Sequence, residues 1–265
     1  MKTRCIQLIA GFSMVVLCIS VCTTTANATV IWSDDFNDRN YDEWRICDNE
    51  ALELLYPDYG FNGSQWSATS GYLQLDQEGH GRITYPSTVA YGTWSFDFKT
   101  NDTLLGVGFH AEVVFISNDA SLTSDDFVSD AIGCALCFDV LSYEEPYDFF
   151  LTLGKRYFEN KTTLDVYGPI SSAGWHHFDV TRNTTGWISV YYNDSPTPIL
   201  EGENTDLDTS ELFSLWFKDG AMIDNIVVNN EVIPPAPPLP WTLIVIGGGV
   251  AVAGIVLAII LLKRR

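Results

Sequence analysis

The sequence has 265 residues, a length that fits one or two domains. It carries 34 acidic and 14 basic side chains, and its formal net charge of −20 argues against nucleic acid and anionic membrane surfaces as partners. A long apolar stretch stands near each end, so these two segments are separated from the fold first.

The amino-terminal segment, residues 1–28, has the pattern of a secretory signal peptide. Basic residues precede an apolar run over residues 6–22, and the segment ends in Ala26-Asn27-Ala28. A basic start, an apolar middle and small residues at a cleavage point are typical of such signals. We therefore predict cleavage after Ala28. The alternative is an uncleaved anchor helix.

Residues 29–232 form the predicted ectodomain. Short runs rich in Val, Phe, Tyr and Trp alternate with Gly, Asn, Asp, Ser and Pro turns, which is typical of an all-β sandwich or barrel. A length of roughly 200 residues suits one jelly-roll, so we predict a two-sheet antiparallel jelly-roll β-sandwich. The predicted strands are residues 30–36, 72–76, 82–85, 93–100, 108–117, 132–142, 149–153, 163–167, 176–181, 187–193, 213–218 and 222–228.

Alternation along these strands predicts which side chains enter the core. Apolar residues take every second position, as at Trp94 and Phe98, which we predict to be buried. The same alternation places Trp187, Tyr191 and Trp216 on polar faces, where large aromatic residues are less expected.

Three cysteines remain after signal cleavage: Cys47, Cys134 and Cys137. Cys134 and Cys137 lie on one predicted strand and face opposite ways, with Cα atoms about 10 Å apart, too far for a disulfide. Their spacing is therefore not a redox or zinc motif. A disulfide from Cys47 to one of them, and three free thiols, both stay open.

Five Asn-x-Ser/Thr sequons lie in polar stretches with the composition of loops. They suit an exposed, glycosylated chain, although Asn, Ser and Thr are also common in turns. The candidate glycosylation sites are Asn62, Asn101, Asn160, Asn183 and Asn193.

The carboxyl-terminal segment predicts membrane attachment. Residues 233–240 form a Pro-rich stalk, residues 241–262 are 22 residues without a charge, and residues 263–265 are a basic tail. A helix of that length is about 33 Å long, enough to cross a bilayer as a transmembrane helix, and the positive-inside rule keeps the tail in the cytoplasm. We predict a single-pass type I protein of the plasma membrane with its ectodomain outside.

Two further hypotheses concern this helix. Gly and Ala at four-residue spacing permit close helix packing and a homodimer. The alternative for the whole segment is a sorting signal that is cleaved after export.

Four parts of the ectodomain follow one known order. They are a Trp-Ser-Asp-Asp-Phe opening at residues 32–36, the stretches 71–75 and 92–98, a hairpin over 174–191, and an Ile-Asp-Asn-Ile-Val-Val ending at 223–228. Together they resemble the concanavalin A-like, laminin-G-like jelly-roll superfamily over nearly the whole ectodomain. The resemblance implies that the last strand returns beside the first. It says little about ligand, because this fold hosts lectins, adhesins and glycosidases.

The resemblance directs attention to residues 108–117 for catalysis. Glycoside hydrolases of this superfamily place a carboxylate cluster on one strand, and retaining hydrolysis requires two carboxyl groups about 5 Å apart. Glu112 has His110 on the same face, and Asp139 lies across from Glu112 if the two strands pair. The strand itself has no second carboxylate in register. We therefore assign no catalytic residue, and a polysaccharide hydrolase is the alternative function.

Sugar binding is the preferred function, because sugars are held by aromatic side chains together with polar groups. We predict a membrane-anchored carbohydrate-binding or adhesion module whose partner is a glycan or a surface protein. A structural cell-envelope protein is a further alternative. The candidate ligand-binding residues are Trp187, Tyr191 and Trp216 on one sheet and His110, Glu112 and Asp139 on the other.

Calcium is the cofactor that the resemblance implies, because many jelly-roll sugar-binding modules hold one structural Ca²⁺ where the first and last strands meet. Carboxylates and loop carbonyls supply the oxygen ligands that calcium takes. Zinc is not predicted, because the adjacent His176 and His177 face opposite ways on a strand. The candidate calcium ligands are Asp34, Asp35, Asp38 and Asp224.

Overall fold

The structure is a computed structural model, and it describes residues 29–46, 66–75, 80–100, 109–118, 132–140, 148–157, 160–172, 174–218 and 220–232. The predicted signal peptide, stalk, transmembrane helix and basic tail lie outside the described residues, as do Cys47, Asn62 and Asn101. No helix of membrane-spanning length and hydropathy occurs within the described ranges.

The described part of the chain contains fifteen β-strands. In chain order these are β1 (Val30–Asp34), β2 (Arg45–Ile46), β3 (Trp66–Ser67), β4 (Leu73–Leu75), β5 (His80–Pro86), β6 (Gly92–Lys99), β7 (His110–Ser117), β8 (Ile132–Val140), β9 (Asp148–Tyr157), β10 (Asn160–Ser171), β11 (His176–Arg182), β12 (Trp187–Tyr192), β13 (Leu200–Glu203), β14 (Leu212–Lys218) and β15 (Met222–Asn229). Each of the twelve predicted strand segments overlaps an observed strand. The prediction missed β2, β3 and β13, because β2 and β3 have only two residues each and β13 is polar apart from Leu200.

The strands form two antiparallel sheets, which confirms the predicted all-β sandwich. The first sheet has the order β13-β12-β11-β6-β15-β4-β3, with β1 also paired to β15. The second sheet has the order β10-β9-β8-β7-β14-β5-β2. The last strand therefore lies beside the first, as the resemblance implied.

The core between the sheets is built from the inward positions of the alternating strands. Trp94, Phe96 and Phe98 of β6 are each 0% exposed, as predicted. Phe98 stacks on Phe138 of the facing sheet with ring centroids 3.9 Å apart. Burying one such aromatic side chain stabilises the fold by about 1.5–3 kcal/mol, so this layer holds the two sheets together.

One arginine side chain is buried and holds two loops of the sandwich by hydrogen bonds. Arg182, the last residue of β11, is 1% exposed. Its guanidinium donates hydrogen bonds to the carbonyl oxygens of Ala90 at 2.6 Å, Asn204 at 2.7 Å and Leu207. It also lies over the ring of Tyr91, 4.6 Å from the centroid. These hydrogen bonds hold the loop between β5 and β6 and the loop between β13 and β14 against the first sheet. None of these contacts involves a carboxylate.

The two described cysteines face opposite ways, as the strand geometry predicted, and no disulfide joins them to each other. Cys134 lies in the main core, whereas Cys137 packs with Val114 and Ala135 on the other side of the second sheet. Burial raises the pKa of Cys134 to about 11, so this thiol is unreactive near neutral pH. Their pairing with Cys47 stays untested, because Cys47 lies outside the described residues.

Candidate functional site

A histidine lies between two carboxylates on the outer face of the second sheet. Strands β7 and β8 pair with His110 opposite Asp139 and Glu112 opposite Cys137. The Nδ1 atom of His110 is 2.5 Å from Asp139 Oδ1, and its Nε2 atom is 2.8 Å from Glu112 Oε1. The two strands therefore pair as the prediction required, but Asp139 lies opposite His110 and not opposite Glu112.

Trp216 completes this cluster from the neighbouring strand. It lies on β14 opposite Glu112, and its ring is 6.2 Å from the His110 ring in an edge-to-face arrangement. The prediction that Trp216 shares a sheet with Trp187 and Tyr191 is wrong. Alternation tells whether a side chain points inward or outward, but it does not tell which sheet a strand joins. We call the outer-face cluster of His110, Glu112, Asp139 and Trp216 the His110 site.

The electrostatics of the His110 site follow from its burial. The Glu112 side chain is 4% exposed, whereas those of His110 and Asp139 are 29% and 26% exposed. A buried carboxylate is costly unless it is paired, and the imidazole supplies the partner. Both ring nitrogens face carboxylate oxygens at hydrogen-bonding distance. The site thereby holds three polar side chains in one hydrogen-bonded row.

This geometry suits binding better than retaining hydrolysis. Retaining glycosidases need two carboxyl groups about 5 Å apart with the sugar between them. Here the imidazole ring occupies the space between Glu112 and Asp139, because each carboxylate contacts a different nitrogen of the same ring. What remains accessible are the partly exposed His110 and Asp139 side chains beside an indole.

The other two predicted aromatics lie on the opposite side of the sandwich. Trp187 and Tyr191 belong to β12 of the first sheet. Trp187 is 44% exposed, and its Nε1 atom donates a hydrogen bond to Glu201 at 3.3 Å. Tyr191 is half-buried and lies opposite Asp179 of β11. The six predicted ligand-binding residues thus divide between two faces, four on one and two on the other.

A second histidine between carboxylates lies on the outer face of the first sheet. His177 Nδ1 is 2.7 Å from Asp97 Oδ1, and His177 Nε2 is 3.5 Å from Asp179 Oδ2. The carboxylate of Asp179, together with that of Asp97, raises the pKa of His177 to about 9, while partial burial opposes this shift. The sequence prediction missed this cluster. Its signal is present in the alternation, which turns these three side chains outward on β6 and β11.

The predicted calcium ligands are gathered where β1 and β15 meet. Asp34, Asp35 and Asp38 line a cavity of about 530 Å³ together with Asn225. Asp224 directly precedes Asn225, and burial, with the nearby carboxylates of Asp97 and Asp35, raises the pKa of Asp224.

These carboxylates also serve the local fold. Asp34 accepts hydrogen bonds from the Phe36 backbone N–H and from Trp44 Nε1, at 2.9 and 2.8 Å. Asp35 and Asp38 each accept a bond from the backbone N–H two residues later. Carboxylates around a cavity have the donor chemistry of a calcium site, and calcium binding at these residues stays a prediction.

The described sequons lie at turns or strand ends. Asn183 lies in the turn between β11 and β12, and Asn193 directly follows β12. Asn183 Oδ1 accepts the backbone N–H groups of Thr185 and Trp187, so this side chain holds its hairpin. Asn160 is the first residue of β10. Glycosylation of these asparagines stays a prediction.

No protein-family model matches the chain, and no curated protein sequence matches it. Solved structures are similar at low identity. The carbohydrate-binding module CBM66 from Bacillus subtilis has a TM-score of 0.50 at 13% identity, covering 71% of this chain and 95% of that one. The carbohydrate recognition domain of Emp47p has a TM-score of 0.54 at 10% identity, covering 79% and 100%.

A third similar structure is the catalytic domain of an endo-1,3-β-glucanase, a laminarinase, from Thermotoga petrophila RKU-1. Its TM-score is 0.50 at 14% identity, with 77% of this chain and 98% of that one covered. At such identities the likeness concerns the fold alone, which is a two-sheet antiparallel β-sandwich.

Proposed function

We propose that this protein binds carbohydrate outside the cell through the His110 site. The observation that carries the proposal is the indole of Trp216 beside an imidazole that bridges two carboxylates. An aromatic ring offers a sugar an apolar face, and the partly exposed His110 and Asp139 side chains beside it offer hydrogen-bond partners for hydroxyl groups. Proteins named for carbohydrate binding among the similar structures support the same class of ligand.

The test is a glycan array probed with the full-length chain in detergent, compared with the Trp216→Ala and Trp187→Ala variants. Loss of an aromatic contact worth about 1.4 kcal/mol lowers affinity about tenfold. We expect this loss in Trp216→Ala. Trp187→Ala is the matched control, because Trp187 is an exposed indole on the opposite sheet. Equal binding by the two variants would place the ligand elsewhere, and no binding by the wild type to any glycan favours the structural alternative.

Hydrolysis of polysaccharide is the second candidate, favoured by the glucanase among the similar structures and by the buried Glu112 carboxylate. Incubation of the wild type with β-1,3-glucan distinguishes the two functions. The geometry of the His110 site leads us to expect bound polymer without reducing sugar. Release of reducing sugar that the Glu112→Gln variant lacks would instead establish the hydrolase.

The location of this function is part of the proposal. The apolar residues 241–262 and the basic tail behind them support an ectodomain held outside the plasma membrane by one helix. The test is cell fractionation followed by protease treatment of intact cells. We expect the ectodomain to be cut while the tail stays protected. An intact full-length chain in the cytosolic fraction would contradict this location.

A further inference from the structure

We propose that His177, Asp179 and Asp194 bind a divalent transition-metal ion on the outer face of the first sheet. Ligand atoms of these three side chains all lie within 4.8 Å of one another. Two of them come from β11, and Asp194 comes from the turn that follows β12. The cluster lies on the opposite sheet from the His110 site, so the proposal is independent of carbohydrate binding there.

The spacing between two of the ligand atoms fits a metal better than a hydrogen bond. His177 Nε2 and Asp179 Oδ2 are 3.5 Å apart. An N–H···O hydrogen bond is normally about 2.7–3.2 Å long. By contrast, two atoms that each lie about 2.1 Å from a tetrahedral ion are about 3.4 Å apart. The pair is therefore spaced as two corners of one coordination tetrahedron.

The other nitrogen of the ring is already oriented by a carboxylate. His177 Nδ1 is 2.7 Å from Asp97 Oδ1, and the second oxygen of Asp97 accepts a hydrogen bond from Asn225 Nδ2 at 2.8 Å. A metal-bound histidine usually donates its remaining N–H to such a carboxylate, which fixes the tautomer and makes the ligating nitrogen more basic. With Nδ1 taken by Asp97, the nitrogen left for a metal is Nε2, which lies 3.5 Å from Asp179 Oδ2.

The two carboxylate ligands are positioned as well. The hydroxyl of Ser95 donates to Asp179 Oδ1, which turns Oδ2 toward His177. The turn that carries Asp194 is fastened to the same histidine, because the backbone N–H of Asn193 donates to His177 O at 2.9 Å and the backbone N–H of His177 donates to Asn193 Oδ1 at 3.0 Å.

The donor set indicates the class of ion. One imidazole with two carboxylates suits zinc and its first-row neighbours, whereas calcium and magnesium prefer oxygen ligands throughout. Three protein ligands leave a fourth tetrahedral position for water or for an oxygen atom of another molecule. The His110 site differs in this respect, because carboxylates contact both of its ring nitrogens at hydrogen-bonding distance.

The experiment uses the full-length chain in detergent, stripped with a chelator and titrated with Zn²⁺ by calorimetry and with Co²⁺ by visible absorption. We expect one bound equivalent in the wild type. The Asp194→Asn variant removes one ligand at an exposed turn, so it should fold normally and bind at least about tenfold more weakly. His177→Ala should lose the site. Asp208→Asn, an exposed carboxylate in the loop after β13, is the matched control and should bind as the wild type does.

Three results would overturn the proposal. The first is a wild type that binds neither metal. The second is Zn²⁺ affinity in Asp194→Asn equal to that of Asp208→Asn, with circular dichroism showing that both are folded. The third is loss of the bound equivalent in His110→Ala with retention in His177→Ala, which would assign the metal to the other histidine.

Discussion

Replacing Arg182 by methionine should remove a large part of the stability of the sandwich. The guanidinium satisfies three carbonyl oxygens, those of Ala90, Asn204 and Leu207, and all three residues are buried. Methionine preserves much of the side-chain volume but donates no hydrogen bond. Each buried carbonyl oxygen left without its donor destabilises the fold by about 1–3 kcal/mol. Part of this loss is offset, because methionine does not carry the desolvation cost of a buried guanidinium. We expect a net loss of about 3–5 kcal/mol, against a total of about 5–15 kcal/mol for a typical domain.

The measurement is the free energy of unfolding from urea titrations followed by tryptophan fluorescence. Lys155→Met is the matched control, because Lys155 reaches the same loop through Asp206 at 2.9 Å on the protein surface. Such an exposed pair is worth about 0–1 kcal/mol, so this variant should stay close to the wild type. If Arg182→Met unfolds at the same urea concentration as Lys155→Met, the buried guanidinium does not hold the loops and the reasoning fails.

Two further predictions concern backbone space and pH. A Cβ atom at Gly92 would lie 1.9 Å from the carbonyl oxygen of Asn229, whereas one at Gly174 would meet nothing within 4 Å. Gly92→Ala should therefore lower the free energy of unfolding by about 4 kcal/mol or more. Gly174→Ala should lower it by about 1–2 kcal/mol, because the residue has a positive φ. Equal thermal unfolding midpoints for the two variants would contradict this. The pKa of His177 is raised from 6.5 to about 9, so its stabilising contribution is complete below pH 6.5, declines as pH rises and is lost above pH 9. The shift corresponds to about 3 kcal/mol, which solvent screening at this partly exposed side chain reduces to about 1–2 kcal/mol. In metal-free protein, the difference in free energy of unfolding between wild type and His177→Gln should fall to zero as the pH rises from 6.5 to about 9. A difference that persists at pH 10 would show that protonation of His177 is not its source.

The strands could be predicted from the sequence because the core imposes a two-residue period on them. Trp94 and Phe98 are buried on the predicted face, since a shift of one residue would send every large side chain into water. The short strands β2 and β3 carry too few residues to show any period.

The candidate site could be predicted only in part, because the alternation of residues within one strand does not reveal which distant strand it pairs with. His110 and Glu112 were found together since they lie two positions apart on one strand. The contact of His110 with Asp139 depends on the register of β7 and β8, and the place of Trp216 depends on which sheet receives β14. The His177 cluster joins strands 80 residues apart in sequence, so its members showed no common motif.

The connection from β14 to β15 lies at one end of the sandwich. Lys218 ends one strand and Met222 begins the other, so the two strands meet at one end of the domain. Trp216 and Asp224 each lie two residues from that connection, and Asp224 shares its row with the strand positions of the His177 cluster. The chain then follows β15 to the far end and leaves toward Val232. If the chain is anchored in a membrane beyond Val232, His110 and His177 would both lie at the end of the domain farther from the anchor. A molecule approaching from outside would reach that end first.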